Sequence, residues 1–167
     1  MNILILGDVM GSSGRKAIKK NLSKIINENE IDFTIINGEN AADDGKGITS
    51  SIAEEFFLQG VDVITSGNHI WDQKDIIGYI DNENRLLRPY NLVDSSPGKG
   101  FAIYETKNKL KIAVLNLMGN VFMKKCDDSF EAAKKFISKY KLKIDYDFLV
   151  IDFHGEITSE KMAMGHF

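Results

Sequence analysis

Acidic, amide and imidazole side chains recur in one setting along this chain, directly after a run of apolar residues. Asp8 follows Ile3-Leu4-Ile5-Leu6-Gly7, and Glu39-Asn40 follows Phe33-Thr34-Ile35-Ile36-Asn37-Gly38. Asn68-His69 follows Val61 to Thr65 within "SGNHIWD", Asn116 sits inside "VLNLMGN", and His154 comes after "FLVIDF". An Asp or Asn at any one such place is more often a turn former or helix cap than a ligand. A single histidine there is more often a hydrogen-bonded loop residue. Glu39 is harder to explain that way, because glutamate has no special turn chemistry. The recurrence is what points to a site.

Carboxylates, amide oxygens and imidazoles without thiolate suit manganese, iron or zinc rather than an iron–sulfur cluster or a structural zinc. Glu39 can bridge two cations, with Asp8 on one side and Asn68 and His154 on the other. Two cations about 3.5–4 Å apart clamp a phosphate and generate a nucleophile for in-line attack. A neighbouring histidine that is not a ligand can protonate the leaving oxygen, since imidazole titrates near neutral pH. His69 is the candidate for that role.

The elements that must position these residues are readable from apolar spacing. Strands are expected at Ile3–Leu6, Phe33–Ile36, Val61–Thr65, Phe101–Glu105, Lys111–Leu117 and Phe148–Phe153. Helices are expected at Arg15–Asn29, capped by Ser12 or Ser13, and at about Ser50–Gln59, Gln73–Ile80, Ser129–Tyr140 and Thr158–Met164. The two strands on either side of Lys107-Asn108 form a hairpin. Strand–helix alternation implies a largely parallel sheet covered on both faces, with that hairpin inserted. In such sheets the carboxyl ends of the strands meet in one crevice, where ligands bind.

The 167 residues are one domain's length, with no internal repeat, low-complexity tract or linker to divide them. A net charge of −3 with scattered Lys and Arg gives no footprint for duplex DNA or an anionic membrane. No stretch reaches membrane-spanning length. The single cysteine, Cys126, allows no internal disulfide, and cytoplasm is the expected compartment.

At this level of detail the chain resembles the calcineurin-like metallophosphoesterases, whose Asp, Asn and His motifs follow successive strands and include a G-N-H motif matched by Gly67-Asn68-His69. More narrowly it is similar to the YmdB-like bacterial branch, known as 2′,3′-cyclic nucleotide phosphodiesterases. The likeness is carried by "ILGDVMGSSGR", "NGENAADDGKGIT", "TSGNHIWD", "LLRPYN", "PGKGF", "LNLMGNVFM" and "DFHGEITSEK", nearly end to end. The resemblance implies an α/β fold, a β-sheet sandwich flanked by helices in the order α/β/β/α. It implies Asp8, Glu39 and Asn40 on a first metal with Glu39 bridging, Asn68 and His154 on the second, and His69 as the acid. The metals implied are iron or manganese, with zinc or magnesium as alternatives. The partner implied is a small phosphoester or cyclic nucleotide.

Two departures bear on that expectation. Met10 stands where many superfamily members carry a histidine, a vacancy that Asn40 fills in this branch. The family pattern also continues beyond "KMAMGHF" through a further strand and a G-T-H-T-H motif that completes both metals. His166 matches no ligand position. The chain therefore reads as a single metallophosphoesterase domain incomplete at its C-terminus and missing its last strands, each metal one imidazole short. An apolar sheet edge is then open, and a homo-oligomer is expected.

The leading expectation is a dinuclear metal-dependent phosphodiesterase hydrolysing 2′,3′-cyclic nucleotides or similar small phosphoesters. Lys46 in "AADDGKGIT" is a candidate phosphate contact and Trp71 a candidate pocket wall, though a surface loop and a core aromatic are the plainer readings. The alternative is a truncated non-catalytic metal-binding or interaction protein. A flavodoxin-like nucleotide-binding module fits the alternation only, because "GDVMGSSG" matches neither the Walker lysine pattern nor G-x-G-x-x-G.

Overall fold

A computed structural model describes residues 1–93 and 95–167. The elements run β1 (Ile3–Asp8), α1 (Gly11–Glu28), β2 (Phe33–Asn37), α2 (Ser50–Leu58), β3 (Val63–Thr65), α3 (Ile76–Ile80), β4 (Phe101–Glu105), β5 (Lys111–Met118), α4 (Ser129–Lys139), β6 (Phe148–His154) and α5 (Thr158–His166). The strands do not form the one largely parallel sheet that alternation implies. They form two sheets, ordered β1-β2-β3 and β4-β5-β6. The first is parallel throughout; in the second, β5 runs antiparallel to β4 and parallel to β6.

The physical reason lies in side-chain parity. Successive residues of a strand face opposite sides, and in β2 and β5 both sides are apolar, so each sheet needs two covers. Phe33, Ile35 and Val63 of the first sheet pack on Ile112 and Val114 of the second, with Ile3, Ala102, Tyr104 and Val150. The other parity, Leu4, Leu6, Ile36 and Ile64, packs beneath α1, α2 and α3 against Leu22, Phe56 and Ile76. Ala113, Leu115 and Leu117 pack beneath α4 against Ala133 and Phe136. The layers are α/β/β/α. β1 and β6 are outer strands, and apolar surface is open there at Ile5 and Phe148.

Local starts and stops follow ordinary chemistry, with two corrections. Thr49 caps α2 by accepting the Ile52 N–H, and Asp128 caps α4 by accepting the Glu131 N–H. Neither Ser12 nor Ser13 caps α1: the helix begins at Gly11, whose N–H is satisfied by the Asn40 carbonyl at 2.8 Å. α3 is shorter than the spacing suggests. The residues before it are taken by turns, as in Asp72 N–H to His69 carbonyl, and by the Gln73 amide donating to the Lys46 carbonyl. Among the described residues no helix is long and apolar enough to cross a membrane.

Candidate active site

Where the two sheets face one another, apolar side chains give way to polar ones at the carboxyl ends of the strands. Asn37 continues the parity of Phe33 and Ile35, Asn116 that of Ile112 and Val114, and Asp152 and His154 that of Val150. The Asn37 amide donates to Asp152 Oδ2 at 3.3 Å, tying one sheet to the other. Asn116, fully buried, accepts the Ser66 N–H at 2.8 Å and so fixes the start of the loop after β3.

Asp8 reaches this gap through a bulge. Its parity with Leu4 and Leu6 would put it under the helices. The ladder, however, shifts between Leu6↔Ile36 and Asp8↔Asn37, leaving Gly7 as the extra residue. Asp8 is thereby paired with Asn37 and turned toward the second sheet. A cavity of about 380 Å³ opens there, lined by Asp8, Asn37, Asp152, His154 and Lys161 among others.

The five expected ligands form one connected cluster. Glu39, 2% exposed, has Oε1 3.0 Å from His154 Nε2, and its Oε2 accepts the His69 backbone N–H at 3.3 Å. The Asn40 amide donates to Asp8 Oδ2 at 2.9 Å and lies 3.5 Å from Glu39 Oε1. His154 Nε2 is also 3.0 Å from Asn68 Oδ1. The backbone N–H of Glu39 is held by Asn37 Oδ1 at 3.2 Å. Burial pushes the Glu39 carboxyl above the ordinary carboxylate range; the His154 imidazole and the His69 N–H act downward without cancelling it.

Gly67 makes the meeting of Glu39 and His154 sterically feasible. A Cβ at that position would stand 2.3 Å from Glu39 Oε2 and 2.5 Å from His154 Nε2. Beside this cluster, His69 Nδ1 lies 2.5 Å from Asp72 Oδ2. Desolvation alone would raise the Asp72 carboxyl, but the hydrogen bond with His69 and the charge of Lys124 outweigh it and hold Asp72 below its usual range. Lys124 also donates to the Asn68 carbonyl at 2.7 Å.

The donor chemistry fits hard divalent or trivalent cations, being oxygen and imidazole without thiolate. Among the described residues no three His, Cys, Asp or Glu side chains form a cation site by themselves. A cation held here would thus draw on the Asn amides as well. Asn40 presents its amide nitrogen to Asp8; a half-turn of that amide would put its oxygen there instead.

The other sequence candidates join none of the cluster's hydrogen bonds, though the Lys46 charge acts on Asp72 from its loop. Trp71 packs against the helix-side core of the first sheet, so it is a core aromatic. Lys46 is exposed on its loop, and His166 ends α5. Asn37, Asp152, Asp72 and Lys124 were not singled out by the strand-exit rule. Asp152 carried a usable signal: it breaks an apolar run at the parity of His154. A larger groove of about 840 Å³ lies at the opposite, β4 edge, lined by Arg85, Lys99 and Phe101, and it holds none of these ligand-type residues.

The geometry can be set beside known proteins. A family profile described as YmdB-like protein matches residues 4–167. Across its whole length the chain is 44% identical to the 2′,3′-cyclic-nucleotide 2′-phosphodiesterase of Bacillus subtilis (strain 168), of which it spans 62%. Two crystal structures superpose closely. One is a hypothetical protein from Thermus thermophilus (TM-score 0.90, 36% identity, 99% of this chain and 62% of that one). The other is a phosphatase from Mycoplasma pneumoniae (TM-score 0.88, 38% identity, 98% of this chain and 58% of that one). The chain thus spans 58 to 62% of the length of the curated relatives it matches.

Proposed function

The chain belongs to the YmdB-like protein family, and from that premise we propose that it is a metal-dependent phosphodiesterase of 2′,3′-cyclic nucleotides or similar small phosphoesters. The observation that carries this reading is the meeting of Asp8, Glu39, Asn40, Asn68 and His154 at one rim, with His69 held by Asp72 beside them. The printed activity of the Bacillus relative supports the substrate class.

Asp8, Glu39, Asn40, Asn68 and His154 would hold two cations, iron or manganese foremost, with Glu39 shared between them. When bound, such a pair supplies Lewis-acid charge neutralisation and lowers the pKa of a water enough for it to act at neutral pH. The chain's own contribution centres on His69. Its Nδ1 is engaged by Asp72, which leaves Nε2 for the substrate. Breaking one P–O bond of a cyclic phosphodiester releases a ribose oxygen, and His69 would give that oxygen its proton. Lys124 holds the carbonyl of Asn68 and keeps Asp72 ionised, so the ligand and the acid share one support.

The same reading includes a cytoplasmic setting, consistent with the lone Cys126, and self-association through the open strands that expose Ile5 and Phe148. A second reading, a non-catalytic metal-binding or interaction protein, is favoured by one observation: no trio of acidic, His or Cys side chains forms a cation site among the described residues. Metal content by mass spectrometry, with hydrolysis of bis-p-nitrophenyl phosphate and 2′,3′-cyclic AMP after Mn²⁺ addition, separates the two. About two cations per chain and turnover abolished by His69→Ala and by Glu39→Ala are expected. A metal-free, inert chain would overturn the phosphodiesterase reading and leave the second.

A further inference from the structure

We propose that the loop from Gly119 to Asp128 is the nucleobase-recognition element of this site, with Phe122 as the ring on which the base stacks; the inference rests on the phosphodiesterase reading above. Phe122 is 86% exposed, and its neighbour Val121 is 40% exposed. Leaving a phenylalanine in water forgoes the burial that makes such a residue useful to a fold. Other exposed phenylalanines have partners: Phe148 lies under the Lys143 ammonium, and Phe167 packs edge-on against Phe130. Among the described residues no ring or cation packs on Phe122.

Its backbone is also unusual. Phe122 has φ of 62°, in the left-handed region that bulky residues rarely enter. The roots of the loop hold it there. The Asn120 and Val121 N–H groups donate to the buried Glu160 carboxylate at 2.7 and 3.4 Å. The Asn120 side chain donates to the carbonyls of Cys126 and Asp127 and accepts the Ser129 N–H. A conformation that exposes an aromatic ring is therefore built in by contacts from α5 and α4, rather than left over from a slack loop.

The loop is tied to the site at Lys124. Two residues past Phe122, at most about 7 Å of chain, Lys124 donates to the Asn68 carbonyl at 2.7 Å and stands 3.7 Å from Asp72. Phe122 is thus rooted two residues from a side chain that reaches the Asn68–His69 turn, the turn that carries the group proposed to meet the ribose oxygen. Every base has a π-face, and stacking on one aromatic ring is tolerant of base identity. A single exposed phenylalanine therefore fits nucleoside 2′,3′-cyclic phosphates as a class better than one particular base.

The test is calorimetric binding of adenosine 3′-monophosphate and of ribose 3-phosphate to the metal-loaded chain, so that no turnover is needed to read it. The wild type should prefer the base-bearing ligand about tenfold. That ratio should fall to about one in Phe122→Ala and return in Phe122→Trp. Equal binding of the two ligands by the wild type, or a ratio unchanged in Phe122→Ala, would overturn the proposal. Hydrolysis of bis-p-nitrophenyl phosphate is followed in parallel. Turnover without base preference would sink the stacking role alone. Base preference lost with Phe122 but without turnover would keep the stacking role and sink the phosphodiesterase reading.

Discussion

Gly67→Ala should separate the site from the fold. Gly67 lies outside the left-handed region, so alanine meets no backbone strain there. Its methyl carbon would stand 2.3 Å from Glu39 Oε2, 2.4 Å from His154 Cδ2 and 2.5 Å from His154 Nε2. Ordinary van der Waals contact begins near 3.5 Å, so the carboxylate and the imidazole must each withdraw by about 1 Å. Both are ends of side chains, so the fold accommodates them at a cost of about 1–3 kcal/mol, as for other overpacked positions. A reacting geometry is less forgiving: a 1 Å displacement costs about a hundredfold in rate, or roughly 2.7 kcal/mol of transition-state stabilisation. Urea unfolding in chelator, Mn²⁺ titration and bis-p-nitrophenyl phosphate hydrolysis read the three quantities separately. The expected variant is folded, weak in cation binding and nearly inactive. Unfolding close to wild type together with undiminished cation affinity and turnover would refute the reasoning, because the juxtaposition of Glu39 and His154 would then be idle.

Other outcomes follow from the same contacts. Asp72→Asn removes the carboxylate that engages and orients His69 Nδ1, so kcat should fall about 10²-fold or more while Mn²⁺ affinity holds; steady-state kinetics with Mn²⁺ titration checks both. Gly78→Ala lies within α3 with open space around the new methyl, and should stabilise the chain by about 0.5–1 kcal/mol in calorimetry. Glu83 is held below its ordinary range by the Arg85 guanidinium, with oxygens 2.9 and 2.7 Å from Nε and Nη2. A depressed carboxyl contributes stability above the ordinary range and loses it as pH falls through that range toward the folded value. Glu83→Gln should therefore cost about 0.5–1 kcal/mol at pH 7, and the difference should close in acid; pH-dependent melting curves report it.

How much of this was legible depended on which side chains announce their surroundings. The strand exits did, because Asp8, Glu39, Asn68 and His154 each interrupt or end an apolar run, and the structure brings these four, with Asn40, within hydrogen-bonding reach of one another. Helix and strand existence was legible for the same reason: apolar spacing persists in α1, α4 and β5. The division into two sheets was not readable from alternation. Phe33-Thr34-Ile35-Ile36 is buried on both sides, so its parity gives no sign of whether a helix or another sheet is the second cover. The Gly7 bulge was equally silent, since a glycine after an apolar run reads as a turn. Phe122 gave no sign either, because exposure is decided by Glu160 and Asn120 holding the loop, contacts that span up to 40 residues.

The division into two sheets is also what makes the site feasible. Neighbouring strands lie about 4.8 Å apart, so in one sheet laid out in chain order the ends of β2 and β6 would be separated by roughly 19 Å. No Glu39 carboxylate spans that distance to an imidazole. Stacked sheets sit about 10 Å apart, which two inward-facing side chains can bridge. The 3.0 Å contact between Glu39 and His154 and the 3.3 Å bond between Asn37 and Asp152 are such bridges. The apolar residues that force two covers on each sheet, Phe33 and Ile35 against Ile112 and Val114, therefore position the polar cluster at the rim. The bulge at Gly7 then turns Asp8 into the same gap. A substitution that tilted one sheet on the other, such as Ile35→Ala, would disturb Glu39 and His154 from a distance, without touching either.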